Sequence, residues 1–95
     1  RVIVTVSLTH HRRADFDKFE SYIVHVDEIT ECVATGGGMD YVLTIYVRSI
    51  AAFETLMANL LDTDLGIDRY VTYFTTRTVK AAHADLAKLS GQSRA

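Results

Sequence analysis

Ala34-Thr35-Gly36-Gly37-Gly38-Met39-Asp40-Tyr41-Val42-Leu43-Thr44-Ile45 ends one strand-like run in three glycines and begins another. Glycine suits left-handed backbone and close approach to a ligand, and three of the chain's five glycines stand together here. A hairpin turn usually needs only one. Three in a row, followed by Asp40, predict in addition exposed peptide N–H groups able to receive a ligand. On the near side Ile29, Glu31 and Val33 alternate with Thr30, Cys32 and Ala34. On the far side Tyr41, Leu43, Ile45 and Val47 alternate with Val42, Thr44, Tyr46 and Arg48. Alternation with a period of two on both sides of a glycine loop predicts a hairpin.

Working outward from the hairpin, each flank offers a strand and a helix. Val2, Val4, Val6 and Leu8 share one face of an N-terminal strand, with Ile3, Thr5 and Ser7 on the other. The polar run Thr9–Arg13 breaks that alternation. Phe16, Phe19, Tyr22, Ile23 and Val26 then recur at intervals of three and four, which predicts a helix over about 14–26 with Asp15, Asp17 and Glu20 near its positive end. On the other flank Ser49 is a natural N-cap for a helix carrying Ile50, Phe53, Leu56, Met57, Leu60 and Leu61. Asp62 and Asp64 oppose the negative end of the dipole, so this helix is expected to stop near Leu61, with Asp62–Gly66 as the connection. Ile67–Val79 reads as a long final strand with Tyr70, Thr72, Phe74, Thr76 and Thr78 on one mixed face. Ala81–Leu89 reads as a short helix and Ser90–Ala95 as a frayed end.

The order β-α-β-β-α-β predicts an α+β, ferredoxin-like fold: a four-stranded antiparallel sheet with two helices on one face. The second sheet face then lacks a cover. Pairing with another copy, as in a dimeric α/β barrel, is the economical solution for a chain whose own core is small. The organisation expected is one domain over residues 1–80, followed by a tail over 81–95.

With 48% hydrophobic and 23% charged residues and a net charge of −2, the chain has no basic stripe with which to grip nucleic acid by itself. No apolar run approaches the length that spans a bilayer, and no export signal precedes the first strand, so a cytoplasmic location and no membrane contact are expected. Cys32 is the only cysteine and reads as a buried thiol. No nucleophile turn, phosphate loop, dinucleotide fingerprint or metalloprotease motif occurs, so no catalytic residue, cofactor or metal ligand is assigned. Asp62 and Asp64 lack further ligands to complete a metal site, and His10-His11 reads as a solvated loop.

Thr35-Gly36-Gly37-Gly38-Met39-Asp40-Tyr41-Val42-Leu43, followed by Arg48–Phe53 and by the segments Gly66–Arg69 and Arg77–Lys80, resembles the effector-binding domain of the Lrp/AsnC transcriptional regulators over residues 2–80. The resemblance implies an effector-sensing and oligomerisation domain with no catalytic activity. It implies homodimers formed by facing sheets, higher oligomers such as octamers, and a small effector, an amino acid, bound between dimers. Carried over residue by residue, the effector site comprises Gly36, Gly37, Gly38, Met39, Asp40, Tyr70 and Thr72. This loop is one residue longer than the common Gly-Asp-Tyr-Asp form, and Tyr70 stands where a small hydroxyl residue is usual. Family members carry a helix-turn-helix ahead of this domain, and nothing in this sequence resembles one. DNA contact is therefore expected only through such a domain outside this chain, and the start at Arg1 suggests the C-terminal part of a regulator. Two other functions fit the same architecture: a small dimeric α/β-barrel enzyme of monooxygenase or isomerase type, and a stand-alone assembly module.

Overall fold

The central strand is the first one. In the computed structural model, which describes residues 1–92, strand β1 (Val2–Leu8) pairs antiparallel with β3 (Tyr41–Ile45) on one side and with β4 (Ile67–Phe74) on the other. Strand β2 (Ile29–Ala34) adds antiparallel to the outer edge of β3, giving the sheet order β2-β3-β1-β4. Helices α1 (Arg13–Ile23) and α2 (Ile50–Asp62) make the two crossovers. The order βαββαβ and the four-stranded antiparallel sheet are those of the ferredoxin-like fold.

Register fixes which side chains meet. Val2, Val4 and Val6 lie opposite Ile45, Leu43 and Tyr41, and all six are buried on one face of the sheet. Phe19 and Ile23 from α1 and Phe53, Leu56, Met57 and Leu60 from α2 complete the same core, so both helices cover that face. The other face carries Ile3, Thr5, Val42 and Thr44 in the centre and Val33, Val71 and Tyr73 towards the edges. Among the described residues no element covers it, and Val33, Val71 and Tyr73 are each at least 42% exposed.

Several element ends differ from expectation, each for a local reason. Helix α1 stops at Ile23 rather than Val26 because, after Val24 N–H bonds to the Glu20 carbonyl, His25 and Val26 bond back only three residues, to Tyr22 and Ile23. That tighter turn still brings Val26 against the core, so its apolar spacing was real although its backbone is not α-helical. Strand β3 ends at Ile45, where Tyr46 N–H bonds to the Glu28 carbonyl and closes the hairpin's far end. Strand β4 ends at Phe74, opposite Val2, and Thr75 closes the ladder by donating its N–H and hydroxyl to the Arg1 carbonyl. Among the described residues no strand lies beside residues 76–79 to pair with them.

Helix α2 starts as expected: the Ser49 hydroxyl accepts the Ala52 N–H at 3.0 Å. Its end opens into Asp64 and Gly66, both left-handed, which place Leu65 in the core between them. Helix α3 (Leu86–Gln92) begins later than expected, where the Asp85 carboxylate accepts the Ala87 and Lys88 N–H groups. It continues through residues 90–92, which were expected to fray; residues 93–95 of that expectation lie outside the described residues. Cys32 is half-buried, on the edge strand β2 opposite Leu43, and not fully enclosed. Burial and then the nearby Glu20 charge push its thiol up to about 11, which keeps it protonated and unreactive at neutral pH.

Candidate functional site

The hairpin loop is drawn onto the end of β1. Thr35 N–H bonds to the Asp40 carbonyl and the Thr35 hydroxyl to the Met39 carbonyl, so the four residues Gly36–Met39 form a closed tip. Asp40 N–H in turn bonds to the Val6 carbonyl at 2.9 Å. Its carboxylate turns back as well: Oδ2 accepts the Leu8 N–H at 2.8 Å and lies 2.9 Å from His11 Nε2. The carboxylate thus caps the sheet where β1 leaves the ladder. His11, expected as a solvated loop residue, is held against Asp40 and stacks on Phe16 at 5.8 Å between ring centroids.

Only one of the three glycines is required by the backbone. Gly37 has φ +103°, a conformation that side chains rarely adopt, whereas a Cβ at Gly36 or Gly38 would meet nothing within 4 Å. Gly37→Ala is therefore expected to destabilise the chain by about 1 to 3 kcal/mol. Gly36→Ala and Gly38→Ala should stay within about 1 kcal/mol of the parent in either direction. Urea titration of the three variants distinguishes this from a loop in which every glycine is a backbone necessity.

Between this loop and α1 lies a cleft of about 500 Å³, lined by Arg13, Phe16, Asp17 and Glu20 from the helix and by Ala34, Thr35, Asp40 and Tyr41 from the hairpin. The helical residues are spaced i, i+3, i+4 and i+7, which puts them on one face. The floor is aromatic. Tyr41 stacks on Phe19 at 4.6 Å and meets the edge of Phe16 at 6.2 Å. The Tyr41 hydroxyl donates to Glu20 Oε2 at 2.5 Å. Burial first, and then this hydrogen bond and the Glu20 charge, hold the phenol well above its usual range, so it remains a donor. Ahead of the cleft, Arg12 at the N-cap is occupied: its Nε and Nη2 donate to Asp15, whose carboxyl is held below the usual carboxylate range chiefly by that hydrogen bond.

The structure places the expected effector residues unevenly. Asp40 lines the cleft, and the exposed Gly36, Gly37 and Gly38, with the half-buried Met39, form the loop tip beside it. Tyr70 and Thr72 lie on β4, opposite Val6 and Val4, on the far side of β1 from the hairpin. Within one chain the two groups are therefore separated by the central strand, about 10 Å across two strand spacings. Arg13, Asp17 and Glu20 were not assigned from the sequence to any site, although their spacing on one helix face was visible there. Among the described residues no cluster of three histidine, cysteine or carboxylate groups could hold a metal, and no buried side-chain nitrogen or oxygen lacks a hydrogen-bond partner. Among the described residues no helix is long and apolar enough to cross a membrane.

Residues 1–85 match the family model described as the Lrp/AsnC ligand binding domain. The transcriptional regulatory protein DoeX of Halomonas elongata is 38% identical over 86 residues, covering 90% of this chain and 54% of that protein. The leucine-responsive regulatory protein of Escherichia coli strain K12 is 29% identical over 84 residues, covering 86% of this chain and 51% of that protein. The chain spans about half the length of these curated relatives. Among solved structures, a transcriptional regulator from Neisseria meningitidis in complex with L-Met superimposes with a TM-score of 0.80 at 20% identity, over 93% of this chain and 57% of that one. An AsnC family transcriptional regulator from Agrobacterium tumefaciens gives the same TM-score of 0.80, also at 20% identity. At these identities the likeness is one of fold.

Proposed function

We propose, from the premise that this chain belongs to the Lrp/AsnC family through its ligand-binding domain, that it senses a free amino acid and assembles through its open sheet face. The observation that carries this reading is the cleft between α1 and the glycine loop, which offers one guanidinium and several carboxylates over an aromatic floor. An amino acid presents the complementary pair, a carboxylate and an ammonium, and charge-assisted hydrogen bonds to both fix its orientation. The fold neighbour solved with L-Met supports an amino acid as the ligand class. Sensing rather than catalysis agrees with the relatives, which are named as transcriptional regulators.

The rest of the reading concerns assembly. A dimer buries the open face, and neighbouring dimers meeting in a higher oligomer such as an octamer would bring Tyr70 and Thr72 to another copy's glycine loop. Effector binding between dimers then shifts the preferred assembly, and with it the spacing of helix-turn-helix domains carried outside this chain.

Asp40 is the residue to test, and two substitutions separate its two roles. Asp40→Asn removes the charge but keeps an acceptor for the Leu8 N–H, so the fold should hold while amino-acid binding weakens by about 1.5 to 3 kcal/mol if the pair is desolvated. Asp40→Ala also strands the Leu8 N–H and should cost about 1 to 3 kcal/mol of stability in addition. Calorimetric titration of a panel of free amino acids into the parent and Asp40→Asn reads the first, and urea unfolding reads the second. Binding unchanged in Asp40→Asn removes Asp40 from the site, and no binding by any amino acid removes the sensor reading itself.

A further inference from the structure

The charges in the cleft do not balance, and the imbalance carries information about the ligand. Among the described residues Arg13 is the only cation lining it, against Asp17, Glu20 and Asp40. Arg13 makes no ion pair among the described residues, whereas its neighbour Arg12 is taken by Asp15. It also sits in the first turn of α1, where the helix dipole disfavours a positive charge. Its position therefore costs the fold something without an internal return.

The three carboxylates are not equally available. Asp40 already receives the Leu8 N–H and His11. Glu20 has one oxygen engaged by the Tyr41 hydroxyl, and Asp17 accepts no hydrogen bond among the described residues. A neutral amino acid would satisfy Arg13 and one carboxylate, leaving a further free carboxylate on the same helix face. An acidic amino acid would add an anion to a cleft that is already negative. An amino acid with a cationic side chain brings one anion and two cations, which match Arg13, Asp17 and Glu20, with the Asp40 charge in the same cleft adding to the hold on the cations.

Geometry agrees with the charge count. At about 1.5 Å of rise per residue, Asp17 and Glu20 lie about 6 and 10 Å along α1 from Arg13, a linear array of one positive and two negative groups. Phe16 and Tyr41 stand beside that array and give an aliphatic spacer an apolar wall. Resting on the amino-acid-sensing reading, we infer that the effector is an amino acid with a second cationic group, lying along α1 with its carboxylate on Arg13 and its two ammonium groups on Asp17 and Glu20.

The test compares each basic amino acid with a neutral analogue of similar shape. L-lysine against L-norleucine, and L-ornithine against L-norvaline, are titrated calorimetrically into the 95-residue chain. The basic member of at least one pair should bind at least about tenfold more tightly. Glu20→Gln keeps an acceptor for the Tyr41 hydroxyl, and Asp17→Asn disturbs no internal hydrogen bond, so both should fold. In Glu20→Gln, which faces the side-chain ammonium, the ratio of the basic to the neutral ligand should fall towards one, whereas Asp17→Asn, which faces the α-ammonium, should weaken both ligands alike. Equal or tighter binding of norleucine and norvaline overturns the second cation while leaving an amino-acid sensor intact. A preference that persists in Glu20→Gln, or binding of both ligands left unchanged in Asp17→Asn, overturns the placement along α1. Failure of a wide panel, these four included, to bind at all strikes the underlying reading instead.

Discussion

Phe19→Ala is expected to remove about 3 to 5 kcal/mol of folding stability. Phe19 is fully buried, stacks on Tyr41, and joins α1 to the centre of the sheet. Truncating it discards the transfer energy of a whole ring and leaves a cavity that the strands cannot close, because their positions are fixed by ladders on both sides. The loss should appear in urea as a lower midpoint with an unchanged slope. It should also reach function, since the same ring supports the cleft floor. A cost below about 1 kcal/mol would mean that α1 is not anchored as described.

Val71→Asp is expected to abolish the proposed self-association at micromolar concentration while leaving the monomer folded. Val71 lies on the uncovered face, opposite Thr5, and is 42% exposed in the single chain, so an aspartate there keeps its water when the chain is alone. In a twofold interface the charge is buried once from each copy, and each unpaired burial costs several kcal/mol. The association constant should fall by at least about a hundredfold, which follows from roughly 3 kcal/mol in total. Light scattering across a concentration series reads the change, and thermal unfolding at low concentration checks the fold. An unchanged mass would show that the open face is not the contact surface.

What could be read in the sequence depended on whether one residue's neighbours along the chain revealed its environment. Val2, Val4, Val6, Tyr41, Leu43 and Ile45 alternate with less buried residues, so period two identified both strands and the face that each buries. Phe19, Ile23, Phe53, Leu56, Met57 and Leu60 did the same at helical spacing. Leu65 escaped because it is an isolated apolar residue between two left-handed ones, and only the fold carries it inward. In the candidate site, the glycines pointed correctly to the hairpin, and the position of Asp40 at the foot of its loop followed from them. Its capping of Leu8 was not, since that contact joins residues far apart in the chain. Arg13, Asp17 and Glu20 read as an ordinary polar helix face, and nothing local showed that a hairpin faces them. Tyr70 and Thr72 came from family resemblance alone, and the central strand that separates them from the loop is a property of sheet order that no short motif encodes.

The place of β1 between β3 and β4 also has a consequence in time. Its β4 edge stays unpaired until Ile67–Phe74 have been made, since no earlier segment takes that position in the sheet. At roughly 5 to 20 residues per second of synthesis, the interval between Leu8 and Ile67 leaves that edge open for roughly 3 to 12 seconds in every newly made molecule. An open edge is a template for strands from other chains. The vulnerable form of this protein is thus the nascent one, and a ribosome pausing before Ile67 would prolong its exposure although the finished fold is unchanged.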